Sequence, residues 1–215
     1  GLYATFLPKP EPEKSGSGLH INLSLFRDGK NLFRNDGTHN QPAESFLMGV
    51  LNRIPDMTAF LNPLTNSYRR FGVFEAPRYL TWSHQNRSQL IRIPAAAGEY
   101  ARMELRSPDP ACNPYIAFGL LLLAGLEGIE KNLPLSPPTN RNLFDDPPRP
   151  EERIASLPAT LDEALELAEK SEFIRSALPG KPLEKFFAAK REECRAARLS
   201  GNALLYEEKI WFPVI

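Results

Sequence analysis

Residues 101–130, ARMELRSPDPACNPYIAFGLLLLAGLEGIE, join an alternating segment to a long apolar segment through a proline-rich turn. In the first part, Met103 and Leu105 alternate with charged residues, the period of two that is typical of a strand with one apolar face. Further along, Asn113 is a preferred N-cap residue and Pro114 suits the first helical position, which predicts a helix to the end of the stretch. A strand followed closely by a buried helix favours a mixed fold.

Similar patterns elsewhere in the chain predict further elements. Alternation predicts strands, and apolar spacing together with a capping box predicts helices, over these ranges: strands 2–7, 19–26, 88–93 and 99–106, helices 43–60, 114–130 and 181–199, and a helix that begins at Thr160. Asp28-Gly29 is typical of a hairpin turn. The predicted fold class is α+β, an antiparallel sheet with packed helices followed by a helical C-terminal segment. We divide the chain into residues 1–131, a proline-rich linker over 132–150, and helical residues 151–215.

Composition excludes several classes of function. Lysine plus arginine (26) equals aspartate plus glutamate (26), so no overall basic field is available for nucleic acids or anionic membranes. The two cysteines are far apart and form no CxxC pair. The longest apolar run, around residues 115–126, is shorter than the roughly 20 residues that span a bilayer. With no signal peptide visible, we expect a cytoplasmic protein.

Between Asn31 and Glu130 the chain uses arginine as its only strongly basic residue. This window contains no lysine and nine arginines, at positions 34, 53, 69, 70, 78, 87, 92, 102 and 106. A planar guanidinium makes bidentate contacts with carboxylates and phosphates, which favours a ligand-binding role for the set. The alternative is a compositional preference for arginine.

Two predicted strands carry polar groups on a single face. Arg102, Glu104 and Arg106 alternate with apolar residues on one strand, and His20, Asn22 and Ser24 do so on another. The charged triplet and His20 are therefore candidates for ligand binding. An ion-pair ladder on the first strand and a solvated edge on the second are the structural alternatives.

Five segments resemble, in order and spacing, the C-terminal motifs of glutamine synthetases. They are GSGLHINLSL (16–25), FLNPLTNSYRRF (60–71), EAPRYLTWS (75–83), NRSQLIRIP (86–94) and RMELRSPDPACNPYIAFGLLLLAGLEGI (102–129). The resemblance implies that the fold is the C-terminal part of the catalytic barrel of that family. We therefore expect the 215 residues to be the C-terminal portion of a longer ligase.

The resemblance also implies an activity and residue roles. The family joins glutamate to ammonia with ATP and Mg²⁺ or Mn²⁺, through a γ-glutamyl phosphate intermediate. By this resemblance the metal ligands are His20 and Glu104, the catalytic residues are Glu75 and Arg87, the glutamate-binding residues are Gly16, Arg70 and Arg106, and the nucleotide-binding residues are Asn22, Ser24, Arg92 and Arg102.

Three departures from the family pattern leave the acceptor open. Ser15 occupies the position of an asparagine that contacts the amino acid, Asn22 stands where many members have a second histidine, and the segment between Arg70 and Glu75 is one residue shorter than in common bacterial enzymes. A γ-glutamyl ligase that uses another amine or a polyamine, or a non-catalytic protein of this family, are the alternative interpretations.

The resemblance further implies parts that these residues do not contain. Family members need additional glutamate ligands from an upstream half and a domain from a neighbouring subunit, in rings of ten or twelve subunits. We therefore expect the 215 residues alone to be inactive. We also expect them to self-associate, for example as a dimer, through apolar surface and sheet edges that the upstream half would cover.

Overall fold

A computed structural model describes residues 1, 4–34, 40–178 and 180–214. The strands in these ranges are β1 (Ile21–Leu23), β2 (Phe26–Arg27), β3 (Lys30–Asn31), β4 (Trp82–His84), β5 (Ile91–Ile93) and β6 (Met103–Leu105). The helices are α1 (Gln41–Leu61), α2 (Pro114–Glu130), α3 (Leu161–Lys170), α4 (Glu172–Ala177), α5 (Lys181–Leu199) and α6 (Ala203–Trp211). None of these helices is long and apolar enough to cross a membrane.

The main sheet has the strand order β1-β6-β5-β4, and β2 and β3 form a separate hairpin. Asp28 and Gly29 both have positive φ at the turn of the hairpin, as the sequence predicts. β1 and β5 each pair antiparallel with β6. The α+β class is confirmed, with one difference in the sheet: β4 and β5 are parallel. Residues 85–90 loop back so that β5 runs in the same direction as β4, with Gln85 at positive φ.

The strands are shorter than the alternation predicts. Only three residues of each of the predicted strands 19–26, 88–93 and 99–106 lie in the main sheet, as β1, β5 and β6. Loops and a 3₁₀ turn replace the rest, as in Gly98–Tyr100 before β6. The predicted strand over 2–7 is wrong for residues 4–7, which have no ladder, and its first two residues lie outside the described ranges. There the chain is held by a loop contact instead, since the amide of Ser17 donates to the carbonyl of Pro8.

The helix predictions are confirmed to within two residues. The side chain of Asn113 accepts hydrogen bonds from the amides at the start of α2, and that of Thr160 accepts one from Glu163 at the start of α3. From residue 132 to 149 the described chain has neither helix nor strand.

One face of the main sheet is apolar and belongs to the hydrophobic core. Ile21, Leu105 and Ile91 are aligned across β1, β6 and β5, and all three are buried. They form one cluster with side chains of α1 and α2. The opposite face is thereby left for the polar side chains of the same strands.

Helices α1 and α2 approach each other so closely that glycine is required at the contact. A Cβ atom added at Gly128 would lie 2.1 Å from the carbonyl oxygen of Ser45 and 2.7 Å from Cα of Gly49. Both neighbours are backbone atoms, so no side-chain rotation can make room. The same helix contains Gly119, where an added Cβ atom would have no other side chain or element within 4 Å.

We expect the Gly128→Ala variant to lower the free energy of unfolding by about 1–3 kcal/mol, because the methyl group overpacks the helix contact. Gly119→Ala is the matched control and should be neutral or stabilising by up to about 1 kcal/mol, since alanine favours the helix. Urea unfolding followed by circular dichroism measures both. Equal stability of the two variants would contradict the contact.

An ion pair crosses the same two helices. Arg53 of α1 donates from Nε and Nη2 to the two carboxylate oxygens of Glu127 of α2, both at 2.7 Å. These bonds lower the pKa of Glu127 from its usual 4.5 to about 2. A depressed pKa in the folded state means that the carboxylate contributes stability above pH 4.5 and loses it as the pH falls toward 2.

We expect Glu127→Gln to lower the free energy of unfolding by about 2 kcal/mol near neutral pH, the contribution typical of a charged hydrogen-bonded pair. The difference from the wild type should shrink steadily as the pH is lowered from about 5 to about 3, because over this range the unfolded chain takes up a proton at Glu127 and the folded chain does not. Glu130→Gln, an exposed position in the same helix, is the control. A difference that stays constant over this pH range would show that the charge of Glu127 is not the cause.

Candidate active site

The polar face of the main sheet brings together side chains from three strands. The register aligns Asn22 of β1 with Glu104 of β6, and Glu104 with Arg92 of β5. The pairing continues beyond the strands, because the amide of Leu19 donates to the carbonyl of Pro108, so that His20 lies on the same face. The two polar faces that the sequence predicts separately are thus adjacent.

Glu104 is the charged centre of this face and is only 6% exposed. Its Oε1 lies 3.3 Å from Nδ1 of His20, and its Oε2 accepts from Nε of Arg92 at 2.6 Å and from Nη1 of Arg106 at 3.4 Å. Burial by itself raises the pKa of Glu104, but the hydrogen bonds from His20 and Arg92 and the two positive charges outweigh it and hold the pKa below its usual value. Glu104 is therefore an ionised acceptor.

Arg106 connects the sheet to two loops. Its Nε donates to the carbonyl of Arg87 at 3.1 Å, and its Nη2 donates to the carbonyl of Glu75 at 3.1 Å. Burial lowers the pKa of Arg106 below its usual value, and the charge of Glu104 opposes this shift. The side chains of Arg87 and Glu75 are both exposed and lie 3.7 Å apart, from Nη1 to Oε2.

Arg70 is held against the end of β6 by backbone carbonyls. Its Nη1 donates to the carbonyl of Ser107 at 2.9 Å, and its Nη2 donates to that of Arg106 at 3.3 Å. Asp109 is fully buried nearby and accepts from Nδ2 of Asn62 at 2.8 Å. Burial raises the pKa of Asp109, while the charge of Arg70 opposes that shift. The guanidinium of Arg70 is thus fixed before any ligand binds.

These residues surround a pocket of about 240 Å³. Its lining includes five of the predicted site residues, Gly16, His20, Arg70, Glu75 and Arg106, and also Lys9, Ser15, Gly18, Val73, Phe74 and Ala76. Gly16 is required at this wall, since a Cβ atom there would lie 2.1 Å from the carbonyl oxygen of Pro8. We call residues 71–76, which form one side of the pocket, the flap.

The remaining predicted residues lie along the polar face outside this pocket. Arg102 donates from Nε to Oδ1 of Asn22 at 2.9 Å, and both side chains are accessible from solvent. Ser24 donates to the carbonyl of Ala101 at 3.0 Å, while Arg92 reaches inward to Glu104. The polar face therefore has a pocket at one end and an open basic surface at the other.

Only some of the arginines between Asn31 and Glu130 lie on the polar face. Arg53 pairs with Glu127 between the helices, and Arg69 pairs with the buried Glu207 of α6 at 3.0 Å. Arginine in this window thus also makes structural ion pairs. These pairs use the guanidinium–carboxylate chemistry that the sequence indicates, but they lie away from the polar face.

Several pocket residues have no marker in the sequence. Lys9 lies between two prolines in a segment without periodicity, and Val73, Phe74 and Ala76 lie in a loop. Asp109 has a weak signal, because it stands between Pro108 and Pro110 just after a polar strand face. The burial of Lys9 and Asp109 depends on contacts with residues that are distant in the chain.

A metal site can be built only in part from this chain. Within the described ranges, no three histidine, cysteine, aspartate or glutamate side chains lie close enough together to hold a metal ion. His20 and Glu104 offer one imidazole and one ionised carboxylate, a donor pair that suits Mn²⁺ well and Mg²⁺ acceptably.

Comparison with known proteins agrees with this geometry. Residues 1–207 match the family "Glutamine synthetase, catalytic domain". Glutamine synthetase from Methanosarcina mazei is 48% identical over 199 residues, which cover 90% of this chain and 44% of that enzyme. Glutamine synthetase from Thermus thermophilus is 45% identical over 199 residues, 90% of this chain and 45% of that enzyme.

A solved structure of a GmaS/ADP complex superposes with a TM-score of 0.79 at 31% identity, covering 95% of this chain and 48% of that one. The ligand-free structure of GmaS superposes with a TM-score of 0.77. The chain spans less than half the length of the curated relatives named here. A match over nearly the whole sequence, joined to a fold of the same type, is decisive: this chain belongs to the glutamine synthetase catalytic-domain family.

Proposed function

We propose that this chain is the carboxylate- and phosphate-binding part of an ATP-dependent glutamate–ammonia ligase, which forms glutamine through a γ-glutamyl phosphate. The observation that carries this proposal is the pocket that places the buried guanidinium groups of Arg70 and Arg106 beside Gly16 and beneath Glu75. A non-catalytic protein would not need two buried guanidinium groups at an open pocket, since removing a charge from water is costly.

The pocket suits the two carboxylates of glutamate. Arg70 and Arg106 are each anchored by backbone carbonyls, so their positions do not depend on the ligand. Fixed guanidinium groups bind carboxylates without the entropy cost of ordering a long side chain. Gly16 would contribute its backbone to the same ligand, because the wall there leaves no room for a side chain.

Glu75 and Arg87 would perform the chemistry at the mouth of the pocket. Glu75 lies on the flap, where its carboxylate can take a proton from the incoming ammonium ion. The flap would also keep water away from the acyl phosphate. Arg87 lies 3.7 Å from Glu75 and would stabilise the charge on the phosphoryl group in transfer.

The open end of the polar face would bind the nucleotide. Arg92 and Arg102 provide positive charge there, and Asn22 and Ser24 provide hydrogen-bonding groups. The structural relative GmaS forms a complex with ADP, which supports this assignment.

His20 and Glu104, between the two ends, would hold one Mg²⁺ or Mn²⁺ ion together with ligands from the rest of the protein. Bound there, the ion would neutralise phosphate charge. Nδ1 of His20 faces Glu104, an arrangement that leaves Nε2 available as the ligand.

Further properties follow from the family. The relatives named above are glutamine synthetases, which favours ammonia over another amine as acceptor. We also propose a cytoplasmic homo-oligomer with a ring of ten or twelve subunits. The family match runs across residues 1–131, 132–150 and most of 151–215, which supports treating the three parts as one domain.

We expect L-glutamate to bind this pocket in the 215-residue chain and to shift the amide resonances of Gly16 and Gly18 in an NMR titration. Arg106→Lys should weaken binding about tenfold or more, because an ammonium group cannot make the bidentate contact. Arg53→Lys makes the same change in an ion pair away from the pocket and should leave binding unchanged. Absence of any shift at a saturating glutamate concentration would count against the glutamate assignment.

We expect no turnover from the 215 residues alone with L-glutamate, ammonium and MgATP, since His20 and Glu104 provide too few ligands for a phosphoryl-transfer site. A sensitive phosphate-release assay measures this, with the Glu104→Gln variant defining the background. A wild-type rate above that background would show that this expectation is wrong.

A further inference from the structure

Lys9 is a buried cation that the proposed reaction does not use. It lines the pocket and is only 2% exposed. Its backbone is bound on both sides by one side chain, since its amide donates to Oδ1 of Asn66 at 2.6 Å and its carbonyl accepts from Nδ2 of Asn66 at 3.0 Å. Asn66 in turn donates to the buried Glu207 at 2.9 Å. Lys9 is thus anchored to the body of the protein and not to the flap.

The ammonium group of Lys9 points to the flap. Its Nζ donates to the carbonyl of Lys14 and lies 4.1 Å from the centroid of the Phe74 ring. An ammonium over an aromatic face at this distance is a cation–π contact, and the contact is stronger when the cation is removed from water. Burial lowers the pKa of Lys9, which agrees with a partly desolvated cation.

Unlike the position of Lys9, the position of Phe74 is not explained by its backbone conformation or by burial. Its backbone has φ +53°, an unusual conformation for a bulky residue, and its side chain is 48% exposed. An exposed aromatic residue with a strained backbone needs a specific contact to keep it in place. The contact with Lys9 is a direct candidate.

Glu75 follows Phe74 directly and depends on the same segment. The flap closes on itself through the amide of Gly72, which donates to the carbonyl of Ala76 at 2.8 Å, and that of Ala76, which donates to Val73 at 3.2 Å. The flap is also linked to the sheet, because Arg106 donates a hydrogen bond to the carbonyl of Glu75.

We propose that Lys9 is a positioning residue, whose ammonium group beneath the Phe74 ring holds the flap over the pocket and thereby sets the position of Glu75. The consequence for catalysis rests on the proposed function of Glu75, whereas the contact between Lys9 and the flap does not. If Lys9 served only to fill space, an uncharged side chain of similar length would replace it without effect on the flap.

Amide hydrogen exchange of Gly72 and Ala76 in the 215-residue chain tests this proposal, because both amides are bonded within the flap. Lys9→Met keeps the length and apolar stem of the side chain and removes the charge, so both amides should exchange about tenfold faster. The amide of Asn62, bonded to the carbonyl of Thr58 at the end of α1, reports on opening elsewhere and should be unchanged. Lys14→Met is the matched control on an exposed lysine.

Phe74→Leu should accelerate flap exchange to a similar extent, and Phe74→Tyr should keep it within about twofold of the wild type, because the ring is retained. The variant with both Lys9→Met and Phe74→Leu should exchange no faster than the faster single variant, since both changes remove one contact. Should Lys9→Met not fold, the two Phe74 variants carry the test, because that side chain is half exposed.

Unchanged flap exchange in Lys9→Met or in Phe74→Leu would overturn the proposal, as would rates that multiply in the double variant. The glutamate titration is a separate readout. Faster flap exchange in a chain that binds no glutamate would support the role of Lys9 and count against the proposed function. Glutamate binding with unchanged flap exchange would support the proposed function and count against the role of Lys9.

Discussion

The burial of an ionised carboxylate at Glu104 is the constraint on which the site depends. A charge in that position is stable only if donors surround it, because the cost of removing it from water is large. The donors are Arg92 of β5, His20 directly before β1, and Arg106 directly after β6. Placing β6 between β1 and β5 satisfies this requirement, and it also brings the polar groups of three strands onto one surface.

Loops around the pocket are held by arginine side chains and not by sheet ladders. Arg106 donates to the carbonyls of Arg87 and Glu75, and Arg70 donates to those at the end of β6. Backbone carbonyls that would otherwise lack partners are satisfied in this way. The same two arginines line the pocket, so single residues both support the loops and bring positive charge to the pocket.

Short strands need support from the helical layer behind them. The strands of the main sheet have only three residues each, too few for an independently stable sheet. Their apolar face packs into a cluster with α1 and α2, whose close contact at Gly49 and Gly128 excludes any side chain. The ion pair of Arg53 with Glu127 lies across the same helices and adds charge complementarity to the contact.

Local signals in the sequence determined the class of the fold, the positions of α1, α2 and α5, the start of α3 and the polar strand faces, because capping and alternation are properties of neighbouring residues. The five family motifs determined the candidate residues. Only the tertiary structure decided the strand ends, the parallel pairing of β4 with β5, and which arginines face the pocket. Arg69 and Arg70 are neighbours in the sequence, yet Arg70 lines the pocket and Arg69 pairs with Glu207. The tertiary structure also decided the burial of Lys9 and Asp109, because this burial depends on Asn66, Asn62 and other partners far away in the chain.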